Sequence, residues 1–376
     1  MVEIPLKLGS NVALPKADLQ GLLDNLRRMG YQIQGPQVRD QAIVYGPLES
    51  VSDLPRGYTS EQDAGHYRLI YTAHSRYFDV TPGAATWKQF LFPPVSELAR
   101  FNRQPDGKWQ VQTTPPDLTP LALVGIRPCE LTAILVQDRI FLREECQDPI
   151  YRTRRQMAFL LAVNCLHPGG TCFCASMGSG PQAESGFDLC LTELEDVFLV
   201  EIGSEAGRMA LEGLPVHLAS AFWHQSAQKG LAEAREKMGR IIPNPEQLPD
   251  VLMNNLEVER WDDVARRCMS CTSCTQVCPT CFCWDVHDSS ALNEQTAARE
   301  RVWDSCFNPD YSYIAGGNLR PSTRSRYRQW LTHKFGSWQE QWNVKGCVGC
   351  GRCITWCPAG IDVTVEIAAI RQEVGI

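Results

Sequence analysis

Little in these 376 residues suits a membrane, a nucleic acid or a dinucleotide. The longest apolar stretch, Met157 to Val163, is far too short to cross a bilayer. The opening MVEIPLKLGSNVALPKADLQ has no apolar run of the kind that forms a signal-peptide core. Positive charge is scarce too. Lys and Arg number 36 against 43 Asp and Glu, a net charge of −7, which argues against a general nucleic-acid binder. No G-x-G-x-x-G follows a strand-like run, so a nicotinamide domain of the usual kind is missing. Flavin is likewise not expected on this chain. The seven histidines, His66, His74, His167, His217, His224, His287 and His333, show no paired ligand spacing. No Ser–His–Asp or Cys–His arrangement stands out. The expectation is a cytoplasmic protein with no membrane span, in a compartment where thiols stay reduced.

Cysteine is what the chain has in excess. Of 17, six lie in the first 240 residues (Cys129, Cys146, Cys165, Cys172, Cys174, Cys190) and eleven after residue 267. In a reducing compartment that density points to metal, and the odd total argues against a fully paired disulfide framework. The two regions differ in pattern as well. Residues 1–240 read as an α/β domain. Leu19, Leu22, Leu23 and Leu26 follow helical spacing, while LALVG (121–125) and MAFLLAV (157–163) are short apolar runs like those of buried strands. IIPNPEQLPD (241–250) carries three prolines and reads as a linker or rigid elbow. Residues 251–376 lack strand-like alternation and read as an α-helical, ferredoxin-like dicluster domain, with ALNEQTAARERVW and STRSRYRQWLTHKF both helix-like.

One pattern occurs twice. Cys268-x2-Cys271-x2-Cys274-x3-Cys278-Pro279 returns as Cys347-x2-Cys350-x2-Cys353-x3-Cys357-Pro358. Three thiolates two residues apart on a tight turn can reach three irons of one cubane, while the fourth points away and serves the other cluster of a pair. This spacing assigns Cys268, Cys271, Cys274 and Cys357 to one 4Fe-4S cluster. Cys347, Cys350, Cys353 and Cys278 then hold the second. Structural zinc also accepts four thiolates, but it usually takes separated C-x2-C pairs.

With GIRPCEL (125–131), the NC…GGTCFC…SMGSGP segment (164–181), CPTCFC (278–283) and WDSCF…AGGNLR…RYRQWLTHKF (303–335), the chain resembles a family over most of its length. That family comprises the β subunits of cytoplasmic sulfhydrogenases, which are NAD(P)-linked nickel–iron hydrogenases, together with the electron-transfer subunits of anaerobic sulfite reductases. The resemblance implies a non-catalytic relay. It would move electrons between a flavin/NAD(P)-binding partner and a catalytic hydrogenase or sulfite reductase subunit. A binding module with structural metal and no redox role is the alternative of another class.

Other cysteines remain. Cys129 follows Pro128 at a helix start, where a thiol's pKa is lowered. Cys165 follows a strand, and Cys172 and Cys174 share its Gly-rich loop. Loops at the carboxyl ends of parallel strands converge on one crevice, so Cys129, Cys165, Cys172 and Cys174 can meet there around a third cluster. The other reading takes them as small buried hydrophobes. Cys281, Cys283 and Cys306 read as packing around the clusters. Arg320, Arg324, Arg326, Arg328 and Lys334 read as a solvated helix face or a docking surface for an acidic partner.

Overall fold

The computed structural model describes residues 6–81, 83–292 and 295–375. Residues 1–5 of the opening stretch and residues 293–294 of ALNEQTAARERVW lie outside the described residues.

From the N-terminus, β1 (Asn11–Pro15) leads through the helix Leu19–Arg28 to β2 (Gln32–Arg39) and β3 (Ala42–Pro47). Two hairpins follow, β4 (Tyr58–Asp63) with β5 (His66–Tyr71), and β6 (Val95–Arg103) with β7 (Trp109–Thr113). Next come β8 (Leu121–Ile126), the helix Pro128–Phe141, β9 (Ala158–Val163), β10 (Leu189–Glu193), β11 (Val197–Ile202) and a short β12 (His217–Leu218). The main sheet orders these strands β12-β1-β11-β10-β9-β8-β2-β3. Its centre, β2, β8, β9 and β10, is parallel and its flanks are antiparallel. The sheet is therefore mixed.

The continuous apolar runs are explained by burial on both faces. Ala122 and Val124 of β8, with Phe159, Leu161 and Val163 of β9, pack with Leu19, Leu22, Leu23 and Leu26. Leu123, Ile126, Leu160 and Ala162 face the other way, toward Leu131, Ile134 and Val136 of the helix Pro128–Phe141. Each such leucine, fully buried, stabilises the fold by roughly 1.5–3 kcal/mol. Gly30, at φ +93°, ends the first helix in a conformation that only glycine adopts freely.

The C-terminal region departs from the all-helical expectation. β13 (Trp284–Ser290) and β14 (Thr296–Trp303) form a hairpin that extends a second sheet, ordered β13-β14-β6-β7. AARERV is helix-prone by composition, yet here its backbone is paired on both sides, to β13 and to β6. The cross-strand ion pair of Arg299 with Asp288 at 2.7 Å adds to that, as does the pairing of Arg301 with Asp148 at the start of the helix Pro149–Gln156. Tertiary pairing overrides local propensity. This sheet draws strands from both sides of residues 241–250. That stretch itself is packed: Ile242 and Leu248 are buried, and Arg371 donates to the Pro243 and Asn244 carbonyls. Apart from a short hairpin, Tyr313–Ile314 with Gly317–Asn318, the remaining regular structure is helical, with Arg260–Arg267, Thr323–Thr332 and Val363–Glu373 enclosing Trp261, Tyr327 and Trp330.

Candidate metal centre

The two cysteine runs fold alike. Ser270 and Gly349, each two residues after the first cysteine of its run, both take positive φ, 50° and 63°. Thr272 and Gly351, each just after the second cysteine, do the same at 67° and 74°. A β-branched threonine in that region is an outlier of the kind that marks functional sites. In both runs the turn aims a backbone N–H at the first sulfur: Ser270 N donates to Cys268 Sγ at 3.5 Å, and Gly349 N to Cys347 Sγ at 3.3 Å. A one-turn helix follows each, Ser273–Gln276 and Arg352–Thr355, carrying the third cysteine.

Cys268, Cys271, Cys274 and Cys357 line one cavity of about 440 Å³, with Phe307, Tyr327, Trp330, Ile361 and Val363 as its apolar wall. Its outer rim is open to solvent: Cys271 is exposed and Met269 is 68% exposed. Cys278, Cys347, Cys350 and Cys353 line a second cavity of about 370 Å³, with Phe173, Trp330, Phe335 and Lys334. Cys353 borders both. Trp330 and Val363 line both as well.

The first-region cysteines gather in a third cavity of about 430 Å³, lined by Cys129, Cys165, Cys172 and Cys174 together with Arg127, Arg352 and Cys350. Strand topology brings them there. β8 and β9 are parallel neighbours, so Arg127-Pro128-Cys129 and Asn164-Cys165 leave the same edge of the sheet. Asn164 pins the loop that follows, donating to Thr192 Oγ1 and accepting from Ala183 N, both at 2.8 Å. The loop then docks on the second run: Phe173 N donates to Gly349 O at 2.8 Å and Ser179 Oγ to Val348 O at 2.6 Å. A Cβ on Gly349 would stand 2.6 Å from the Phe173 carbonyl, and one on Gly351 2.4 Å from the Thr171 oxygen, so both positions need glycine for this approach. Cys350 borders the second and third cavities, which puts the three in a row.

Burial decides the thiol chemistry. It pushes Cys172 up to about 12 and Cys347 to about 12, and holds Cys274 and Cys353 well above the ordinary thiol value. Cys129 is raised as well. Burial, then the neighbouring Cys174 and Cys350, outweigh the helix start that was expected to lower it. Such thiols ionise when a cation arrives to take the thiolate. Cys278 is the contrary case, held low by a hydrogen bond from Cys281 and by the charge of Lys334. Among the described residues no three His, Cys, Asp or Glu converge on a single ion's position. The thiols ring cavities instead.

Three buried cations lining these cavities were not foreseen. Arg352, inside the second cysteine run, pairs with Glu130 at 2.7 Å, and Glu130 also accepts from the Tyr45 hydroxyl at 2.7 Å. Arg127 donates to the carbonyls of Asn164, Phe78 and Val80. Lys334 is 3% exposed, contrary to its expected place on a solvated face. That basic patch dissolves altogether: Arg326 is buried among carbonyls, and Arg324 and Arg328 pair with Glu257. The signal for Lys334 lay in its neighbours, Trp330, Phe335 and Trp338, at core-facing spacing. Cys283 and Cys306 hydrogen-bond each other, with the Tyr311 hydroxyl on Cys283. Cys190 is buried in β10.

A family model described as a 4Fe-4S dicluster domain matches residues 267–361, which contain both cysteine runs. Sulfhydrogenase 2 subunit beta of Pyrococcus furiosus is 34% identical over 253 residues, 66% of this chain and 74% of that protein. The chain belongs to the sulfhydrogenase β-subunit family. It is thus an iron–sulfur protein of the hydrogenase, electron-transfer class, with a 4Fe-4S dicluster domain. No solved structure matches it. Among the described residues no helix is long and apolar enough to cross a membrane.

Proposed function

We propose that the chain is the electron-transfer subunit of a cytoplasmic, NAD(P)-linked nickel–iron hydrogenase, set between the flavin/NAD(P)-binding and catalytic subunits. On this reading Cys268, Cys271, Cys274 and Cys357 hold one 4Fe-4S cluster. Cys347, Cys350, Cys353 and Cys278 hold a second, and Cys129, Cys165, Cys172 and Cys174 a third. Residues 251–376 would carry the first two and residues 1–240 the third, with 241–250 as the elbow.

The observation that carries the reading is the row of three cavities, each lined by its own four of these cysteines and each sharing a cysteine wall with the next. The donor set suits the group. Thiols line every cavity, no carboxylate or histidine does, and the N–H groups of Ser270 and Gly349 already point at sulfur. A 4Fe-4S cluster supplies a one-electron couple. The chain's residues do the rest. Backbone turns fix the thiols, Phe307 and Tyr327 give the first cavity an apolar inner wall, Trp330 does so for the first two, and Arg127, Arg352 and Lys334 supply positive charge.

Purifying the chain with its native complex under strict anaerobiosis, then analysing metal and cofactor content, tests the assignment. Nickel, iron and flavin in the complex are expected. Sirohaem in place of nickel would move the chain to a sulfite reductase, and a lone chain free of iron would overturn the electron-transfer reading.

A further inference from the structure

The three cavities differ in one respect that their thiols do not explain: the charge built into their walls. The first is lined by no lysine or arginine. The third has Arg127 and Arg352, and Arg352 is already balanced by Glu130 at 2.7 Å. The second, in the middle of the row, has Lys334.

Lys334 is placed with care. It lies in the wide helical turn His333–Ser337, inserted between the helices Thr323–Thr332 and Trp338–Trp342. Wide turns of this kind shift the face a residue presents and often occur at functional sites. Here the turn buries an ammonium to 3% exposure. Nζ donates to Thr280 Oγ1 at 2.6 Å and to Gly346 O at 3.2 Å, and lies 4.9 Å from the centre of the Trp338 ring. Thr280 follows Cys278 by two residues and Gly346 precedes Cys347, so both anchors belong to the segments that supply thiols to this cavity. Among the described residues no carboxylate pairs with Lys334. The groups around it that can become anionic are cysteine sulfurs, those of Cys278, Cys281 and Cys347. A buried cation without a carboxylate is costly unless a negative group beside it supplies the balance. The cavity itself is where that negative group belongs.

We propose that Lys334 is a fixed countercharge that lifts the reduction potential of the middle site above that of the apolar first site. The inference rests on the three-cluster reading above. Reduction adds negative charge to a buried, weakly screened site, so a permanent cation a few ångströms away favours the reduced form. The first site, walled by Phe307, Tyr327 and Trp330, has no such help. Lys334 touches no substrate; it acts on the site through its charge, as a positioning residue.

The test is an anaerobic redox titration of the full chain followed by EPR. In Lys334→Gln, which keeps hydrogen-bonding capacity without charge, the reduced-to-oxidised ratio of the middle centre at the wild-type midpoint falls at least tenfold, a shift of 59 mV for one electron. The other two midpoints stay put, and Lys334→Arg retains the wild-type value. A second measurement needs no lysine variant. In the wild type, the centre abolished by Cys268→Ser should titrate at the lowest potential of the three. An unchanged middle midpoint in an iron-replete Lys334→Gln protein would overturn the proposal, as would a Cys268-dependent centre that titrates at or above the middle one. Iron and sulfide content separate this failure from a deeper one: wild-type protein without three reducible centres would sink the cluster reading itself.

Discussion

Replacing Glu130 by glutamine probes how the second and third cavities are locked together. The carboxylate is 1% exposed and takes two hydrogen bonds at 2.7 Å, from Arg352 Nη2 and from the Tyr45 hydroxyl. Arg352, 3% exposed, has Glu130 as its one carboxylate partner among the described residues. Removing one member of a buried pair costs about 3–5 kcal/mol, because the other charge stays buried without compensation. Glutamine retains an acceptor oxygen, so the low end, about 3 kcal/mol, is the figure to expect. Cluster loss makes unfolding irreversible, which leaves the unfolding rate in anaerobic urea, followed by tryptophan fluorescence, as the readable quantity. If this interface opens before the transition state, the full amount appears in the rate, about a hundredfold acceleration at 1.4 kcal/mol per decade. Replacing Glu130 and Arg352 together by methionine removes both charges and recovers most of the loss. A single Glu130→Gln variant that loses less than about 1 kcal/mol would refute the reasoning, because the guanidinium would then be balanced elsewhere.

Two further outcomes are expected. Cys357→Ser should expose Cys268, Cys271 and Cys274 to alkylation while Cys347, Cys350 and Cys353 stay protected. The opposite pattern, read by mass spectrometry, would rule out crosswise sharing between the two runs. His333 supplies a pH dependence. Burial, with Lys334 beside it, holds its imidazole down at about 4, whereas the unfolded chain takes up the proton near 6.5. The unfolded state therefore binds more protons between these values, so stability is full above pH 6.5 and falls as pH drops through the window, by about 2 kcal/mol at pH 5. His333→Gln should flatten that slope, read as the change in unfolding rate in anaerobic urea between pH 7 and pH 5; an unchanged slope would assign it to other groups.

What could be read from the sequence was what is written locally. The cysteine runs announce themselves because a turn two residues long fixes which thiols face together, and the structure gives both runs the same left-handed positions. The gathering of Cys129, Cys165, Cys172 and Cys174 was legible for a less local reason: two apolar runs that read as parallel strands must release their following loops at one edge. The hairpin Trp284–Trp303 was not legible, since its residues favour a helix until β6 offers a ladder. Nor were the buried charges. Glu130 and Arg352 are 222 residues apart, and nothing in RSRYRQWLTHKF marks Lys334 as interior except the aromatics around it. The low pKa expected for Cys129 failed because a helix start offers a fraction of a charge, and full burial among other thiols outweighs it.

Counting iron and acid-labile sulfide in anaerobically purified protein, alongside EPR of the dithionite-reduced form, tests the central claim most directly. Three thiol-lined cavities predict about twelve of each per chain and three reducible centres, falling by about a third in Cys172→Ser. Colourless protein, protein that binds only zinc, or an iron count of about eight that Cys172→Ser leaves unchanged would contradict it.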